Sequence, residues 1–106
     1  MKEEIKEKID GVVEDVMEEN YYEEYSDEAV GSIVREFNSR IQLGIFRRLD
    51  GKEVEKVLAG KTEMGWILQF YTKVHSEEGD TRGEGFAYNL EAPDLSEWGS
   101  LYTPSC

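Results

Sequence analysis

Cysteine, histidine, proline and basic residues are all scarce in this chain of 106 residues. It contains one cysteine, one histidine and two prolines. A single cysteine excludes an intramolecular disulfide, and one cysteine with one histidine excludes a structural zinc site within one chain. No stretch approaches the roughly 18 apolar residues that a membrane helix needs. The charged N-terminus does not resemble a signal peptide, so we expect a soluble, cytoplasmic protein.

Acidic residues outnumber basic residues by two to one. The chain has 24 Asp and Glu against 12 Lys and Arg, a formal net charge of -12. Residues 1–28 carry twelve acidic and three basic residues, whereas residues 29–61 carry four acidic and seven basic residues. A folded acidic surface repels nucleic acid and anionic membranes and attracts basic molecules. The composition therefore predicts a basic protein partner, with no direct binding of nucleic acid or membrane.

Two amphipathic helices are predicted at the N-terminal end. The aliphatic residues of 2–19 recur on one helical face, and Ser26 is suited to cap a second helix over residues 27–41. Gly11 interrupts the first helix at a cost of about 1 kcal/mol relative to alanine, which predicts close packing there. Both apolar faces are expected to bury against a sheet or a second subunit; their residues are Ile5, Ile9, Val12, Val16, Val30, Ile33, Val34 and Phe37.

The second half of the chain favours antiparallel strands. Residues 66–74 are rich in β-branched and aromatic side chains, residues 76–82 have turn composition, and residues 83–90 read as a returning strand. The chain is therefore predicted to be one α+β domain over residues 1–106, with two N-terminal amphipathic helices packed on a small antiparallel sheet. An all-α bundle is the alternative, because several apolar residues also fit a helical face: Met64, Ile67, Leu68, Tyr71 and Val74.

Two segments are less well defined. Asp50 and Gly51 form a strong hairpin signal, but the apolar residues of 52–60 lie at helical spacing. Residues 52–60 are therefore compatible with either a helix or a strand. Residues 91–106 contain both prolines and predict an irregular C-terminal tail, docked onto the body by Trp98, Leu101 and Tyr102.

No catalytic or cofactor motif stands out. His75 would suit a general base beside Glu77 or Glu84, but no nucleophile accompanies it, and Cys106 has no positioned base. The acidic run of Glu77, Glu78, Asp80 and Glu84 lacks the spacing of a calcium-binding EF-hand loop. Gly83 and Gly85 lack the third glycine of a dinucleotide loop and are more typical of a bulge or a close aromatic neighbour. We therefore predict no catalytic residue, metal site or cofactor.

Four arginines form a positive island in the acidic chain: Arg35, Arg40, Arg47 and Arg48. Guanidinium groups bind phosphate and carboxylate well, so the island is a weak candidate for anion binding. The simpler interpretation is ion pairing with acidic residues of helix 2–19 or of a second subunit.

Tyrosines cluster with acidic residues between the two predicted helices. Tyrosine is enriched at protein interfaces, and carboxylates suit a basic partner. This segment is the candidate partner-binding site, with Glu18, Glu19, Tyr21, Tyr22, Glu23 and Glu24 as its residues. The alternative is that the tyrosines close one end of the core under a solvated acidic loop.

Three functions of different classes fit these observations. The leading hypothesis is a non-enzymatic acidic interaction module, a regulator or inhibitor that binds a basic, nucleic-acid-binding protein surface by charge mimicry. A structural homo-oligomer, such as a homodimer formed through the helices, is the second. The third is a small enzyme or ligand-binding domain with a pocket between helices and sheet that uses His75 or the pair Arg47 and Arg48. Carboxylates on one convex face would favour mimicry, whereas a concave aromatic-lined site would favour a pocket.

Overall fold

The computed structural model describes residues 2–77 and 79–103. The candidate residues Cys106 and Glu78 lie outside this part of the chain. Two helices precede seven strands, with these bounds: α1 (Lys2–Glu19), α2 (Asp27–Gln42), β1 (Arg48–Leu49), β2 (Lys52–Glu53), β3 (Lys56–Thr62), β4 (Gly65–Glu77), β5 (Asp80–Asn89), β6 (Asp94–Leu95) and β7 (Gly99–Thr103).

The two predicted helices are confirmed, with nearly the predicted bounds. Ser26 caps α2, because its Oγ accepts a hydrogen bond from the Ala29 backbone N–H at 3.1 Å. The apolar faces of both helices are buried in one core together with residues of the sheet. These faces are therefore occupied within the chain and are not available as an interface with a second subunit.

Gly11 differs from the prediction of close packing. It is exposed in the middle of α1, and a Cβ added there would meet no atom within 4 Å. The helix tolerates this glycine because the packing of the apolar face, rather than local propensity, supplies most of its stability.

Residues 48–62 form three strands, β1, β2 and β3, and the connections between them. The sequence was compatible with either a helix or a strand for residues 52–60. The short antiparallel strands β1 and β2 flank Asp50 and Gly51, whose φ angles of 52° and 75° belong to the left-handed region. Asparagine, aspartate and glycine tolerate that region best, which explains why an Asp-Gly pair closes this hairpin. After it, β3 pairs with β4 along its whole length. The helical alternative for residues 52–60 is therefore wrong.

The predicted α+β fold is confirmed, and the all-α alternative is wrong. The main sheet is antiparallel with the order β3-β4-β5-β6, and β7 also pairs with β5. The structure differs from the expected irregular tail, since β6 and β7 occupy the two ends of the same edge of β5. Some residues of β6 and β7 have low strand propensity. The long β5 nevertheless offers unpaired backbone N–H and C=O groups, and these form hydrogen bonds with the tail.

A β-bulge divides the long strand β4 into two parts. The register with β5 shifts between Tyr71 and Lys73, so the alternation of faces changes there. Before the bulge, Phe70 faces the helices; beyond it, Lys73 and His75 lie on that same side, opposite Glu84 and Arg82 of β5. The bulge thus places charged side chains on the face that is apolar under the helices.

The sheet also bends toward the face turned away from the helices. Thr103 aligns with Thr81, yet its hydroxyl contacts the side chains of both Tyr71 and Gln69. Gln69 aligns with Ala87, which is about 20 Å from Thr81 along a straight strand. Only a bent sheet brings these groups together. Bulges and glycines are the usual devices for such curvature.

One chain of aromatic rings joins most elements of the fold. Ring centroids are 5.2 Å apart for Phe46 and Phe37, 5.2 Å for Phe37 and Phe70, 5.0 Å for Phe70 and Phe86, and 4.7 Å for Phe86 and Trp98. These residues come from the segment after α2, from α2, β4, β5 and the segment before β7. These ring contacts confirm that Trp98 docks the C-terminal segment onto the body.

Asn38 of α2 binds the free edge of the sheet. Its side-chain amide donates to the Val57 carbonyl and accepts from the Val57 N–H, both at 2.9 Å. An unpaired edge is a site for unwanted strand addition. A helical side chain thus satisfies both backbone groups of an edge residue.

Two glycine substitutions should have opposite effects on stability. Gly11→Ala should stabilise the protein by about 0.5–1 kcal/mol, because alanine favours the helix and the site is open. Gly85→Ala should destabilise it by more than about 2 kcal/mol, because the new Cβ would lie 1.8 Å from the Phe70 carbonyl oxygen. Urea unfolding of each variant measures both effects. Similar effects of the two substitutions would contradict the close approach of the Phe70 carbonyl to Gly85.

Asn38→Ala should destabilise the protein by about 1–3 kcal/mol, because two backbone groups of Val57 lose their partner. Gln42→Ala is the matched control, since Gln42 is exposed on the same helix. The comparison uses urea unfolding under the same conditions. Equal stability of the two variants would show that the edge bond contributes nothing.

Candidate functional site

A cleft rich in glutamate and tyrosine lies beside the C-terminal half of α1. Its walls come from α1, the loop between the helices and the turn after β5, and its volume is about 600 Å³. We call it the tyrosine–glutamate cleft; its lining is Val13, Glu14, Met17, Glu18, Tyr22, Glu23, Glu24, Tyr25 and Glu91. Five of these residues are exposed glutamates and none is basic.

Local folding brings the floor of the cleft together. Val13 and Met17 are four residues apart on α1 and therefore share a face. The Tyr22 N–H donates to the Met17 carbonyl at 2.9 Å, which ends α1 and turns the chain back. The Tyr22 hydroxyl is 3.0 Å from Ser32 Oγ of α2. Met17, Tyr22 and Tyr25 all pack against the core while remaining partly exposed, so the floor is apolar and held in place.

Glu91 closes the cleft from the sheet side. One oxygen of its carboxylate accepts the backbone N–H of Trp66 at 2.9 Å. This bond ties Glu91 to the start of β4. The charge at this wall is therefore fixed in position rather than carried on a freely rotating side chain.

The electrostatic character of the cleft is visible in Tyr25. Burial raises the pKa of its phenol above 10.0, and the nearby carboxylates of Asp10, Glu91 and Glu14 raise it further. A phenolate there would add a negative charge to a negative site. Tyr25 therefore stays protonated, and its hydroxyl remains able to donate a hydrogen bond.

Four of the six residues predicted to bind a partner line this cleft, and two do not. Glu19 and Tyr21 lie outside the lining, and Tyr21 is 91% exposed with a φ of 57°. The prediction omitted Glu14, although it lies one helical turn before Glu18 and the spacing could have shown it. Glu91 carried no such signal, because only the path of β5 brings it here.

The arginine island is divided by the fold. Arg40, Arg47 and Arg48 line a second cleft of about 690 Å³ together with Lys8 and three acidic residues, and we call it the arginine cleft. Arg35 lies apart and donates to Ser32 Oγ at 3.1 Å. The acidic residues are Glu7, Asp15 and Glu53.

Ion pairs occupy two of these arginines. Arg40 lies 2.9 Å from Glu36 and 3.7 Å from Asp15 of α1, and Arg48 lies 3.9 Å from Glu53. The pair with Asp15 agrees with the interpretation that the island pairs with helix 2–19. Among the described residues, Arg47 makes no ion pair.

His75 lies exposed on the part of β4 that extends beyond the bulge. It shares a cavity of about 710 Å³ with Lys73, Arg82 and Glu84 but with none of the four arginines of the island. The space between helices and sheet is filled by the apolar core. The structure therefore does not bring His75 and Arg47 into one pocket between the layers.

The acidic run of 77–84 and the glycine pair of β5 form part of a strand hairpin in the part of the chain that the structure describes. Glu84 forms an ion pair with Lys73 at 3.5 Å, and Glu77 and Asp80 are opposite each other in the register of the two paired strands, next to the tight turn. Within residues 2–77 and 79–103, no three His, Cys, Asp or Glu residues are grouped so as to hold a metal ion. Gly83 lies in β5 against Tyr71, as the interpretation of a close aromatic neighbour predicts.

Comparisons with known proteins leave the function to be argued from geometry. No protein-family model matches the chain, and no curated protein or solved structure shows significant similarity to it. None of the described helices is long and apolar enough to cross a bilayer.

The raised pKa of Tyr25 predicts a loss of stability at alkaline pH. The unfolded chain releases the Tyr25 proton near pH 10, before the folded chain does, so the free energy of unfolding falls as pH rises through this range. Tyr71, whose pKa burial also raises, acts in the same direction. Tyr25→Phe should reduce the fall measured by urea unfolding between about pH 9 and about pH 11.

The exposed Tyr21 supplies the control for this pH experiment. Tyr21→Phe should leave the fall as large as in the wild type. A Tyr25→Phe variant that loses stability just as steeply would show that the cleft does not disfavour the phenolate.

Proposed function

We propose that the protein is a non-enzymatic interaction module that binds a basic protein segment in the tyrosine–glutamate cleft. One observation carries the proposal: five carboxylates surround an apolar floor of Met17, Tyr22 and Tyr25, and no basic side chain lines the cleft. The function is that of a regulator or inhibitor, which acts by covering the basic segment of its partner.

The floor and the rim of the cleft favour different parts of such a ligand. Met17, Tyr22 and Tyr25 offer partly exposed apolar area to an aliphatic or aromatic side chain, and tyrosine is a frequent hot-spot residue in interfaces. The surrounding glutamates attract lysine and arginine on either side of that anchor. A basic amphipathic segment supplies both features.

The shape of the cleft favours this ligand over a surface that recognises an array of phosphates. Charge mimicry of nucleic acid needs carboxylates spread over a convex face. Here five glutamates and an apolar floor line one shallow, open cleft. The basic surface of the partner is therefore expected to project a side chain into the cleft, and the partner does not need to be a nucleic-acid-binding protein.

The test is the affinity for a fluorescently labelled helical peptide of lysine and leucine with one tryptophan, measured by anisotropy. Binding should weaken as salt rises, because salt screens exposed charges beyond about 10 Å at 0.1 M. A cleft variant with Glu14, Glu18, Glu23 and Glu24 changed to Gln should bind at least about tenfold more weakly, since each lost ion pair at the rim contributes up to about 1 kcal/mol.

A variant with the same change of net charge is the control. Glu3, Glu4, Glu55 and Glu63 are exposed and lie outside the cleft, and changing them to Gln should weaken binding by about threefold or less. Equal loss in the two variants would mean that the peptide responds to overall charge and not to the cleft. Affinity that is indifferent to both variants and to salt would overturn the proposal.

A further inference from the structure

A second groove, unrelated to the tyrosine–glutamate cleft, has the opposite charge. It lies on the part of the sheet beyond the bulge and consists of the cavity of about 710 Å³ beside His75 and an adjoining cavity of about 220 Å³. The two cavities share Glu84 and Ser100 in their walls. We call their union the distal groove.

Basic residues outnumber acidic ones in the lining of the distal groove. Lys52, Lys73 and Arg82 line it, against the single carboxylate of Glu84. This is the reverse of the chain as a whole, whose net charge is -12. The arginine cleft differs, because three acidic residues accompany its four basic ones. The distal groove is therefore the more favourable place for an anion.

The strand register brings three nitrogen donors together. His75 lies opposite Arg82, and Lys73 lies opposite Glu84, one step along the same face. Directly opposed and diagonal neighbours in a sheet lie within about 8 Å of each other. Ammonium, guanidinium and imidazole groups on three neighbouring positions suit an anion with several oxygens, such as a phosphate group.

Aromatic residues at both ends of the groove hold two of the cations. The Lys52 ammonium lies 4.2 Å from the centre of the Trp98 ring, and the Arg82 guanidinium lies 5.1 Å from that of Tyr102. Such contacts orient a cation without neutralising it. The Trp98 indole also donates to Asp50 at 3.1 Å, which fixes the hairpin that carries Lys52.

From this arrangement we propose that the distal groove binds the phosphate group of a small molecule. Its volume lies within the range of about 300–1,000 Å³ that is typical of small-molecule sites. The phosphate lies among Lys73, His75 and Arg82, and the half-exposed ring of Tyr102 is beside it for the organic part of the ligand. Phosphate binds in competition with the Lys73–Glu84 ion pair, whose side chains are 72% and 62% exposed.

The test follows the imidazole signal of His75 by NMR during titration of the full chain with pyrophosphate, ADP or adenosine. The chain has one histidine, so the signal needs no assignment. Pyrophosphate and ADP should shift it at up to millimolar concentration, and adenosine should not. Equal affinities would show that the phosphate group alone is recognised, whereas tighter binding of ADP would show that its organic part contributes; either result supports the proposal.

Three variants with exposed substitutions locate the binding. Lys73→Gln with Arg82→Gln should weaken binding at least about tenfold, since charge-assisted hydrogen bonds are lost. Glu84→Gln should tighten it about twofold to fivefold, because Lys73 loses its competing partner. The control, Arg47→Gln with Arg48→Gln, changes the net charge by the same amount as the first variant and should alter the affinity by less than about twofold.

The proposal is overturned if neither pyrophosphate nor ADP moves the His75 signal, or if adenosine moves it equally. It is also overturned if binding is lost in the Arg47 and Arg48 control, which would place the anion in the arginine cleft. Melting curves of all variants show whether each is folded. If the variant with both Lys73→Gln and Arg82→Gln is unfolded, Lys73→Gln alone takes its place. None of these outcomes depends on whether the tyrosine–glutamate cleft binds a peptide.

Discussion

The packing of five aromatic rings is the interaction on which the rest of this structure depends. Phe46, Phe37, Phe70, Phe86 and Trp98 form one continuous chain of edge and stacked contacts. It includes all four phenylalanines of the protein, and each ring comes from a different segment. Aromatic pairs contribute about 0.5–1.5 kcal/mol beyond the burial of their area. The five rings thus join α2, both central strands, the segment after α2 and the C-terminal segment across a small core.

This core separates the charges of the molecule into sites of opposite sign. At one end, the turn after β5 places Glu91 against the glutamates of α1 and of the loop between the helices. At another, Trp98 holds Lys52 beside the part of the sheet that carries Lys73 and Arg82. The net charge alone suggests a uniformly acidic surface. The fold instead produces a concave acidic site and a basic groove, and the two are expected to recognise ligands of opposite charge.

The sequence predicted what depends on local pattern and missed what depends on long-range pairing. The helices and the cap at Ser26 follow from periodicity and from the chemistry of one side chain, and both were predicted. The pairing of Gly99–Thr103 with β5 depends on a free strand edge elsewhere in the chain, which no local pattern displays. The bulge after Tyr71 moves His75 to the side of Phe70, so a simple alternation gave no indication of the distal groove. Glu91 reaches the acidic cleft only through the course of the sheet.

The most direct test of the central claim is to map where a basic amphipathic peptide contacts the protein labelled with ¹⁵N. If the tyrosine–glutamate cleft is the binding site, the largest changes of backbone amide shift will cluster at Met17, Tyr22 and Tyr25 and also at Glu91, which is distant from them in sequence but meets them in the cleft. Small changes spread over all the acidic segments, or a cluster on another face, would contradict the assignment and would mean that the acidity of this chain does not form a specific site.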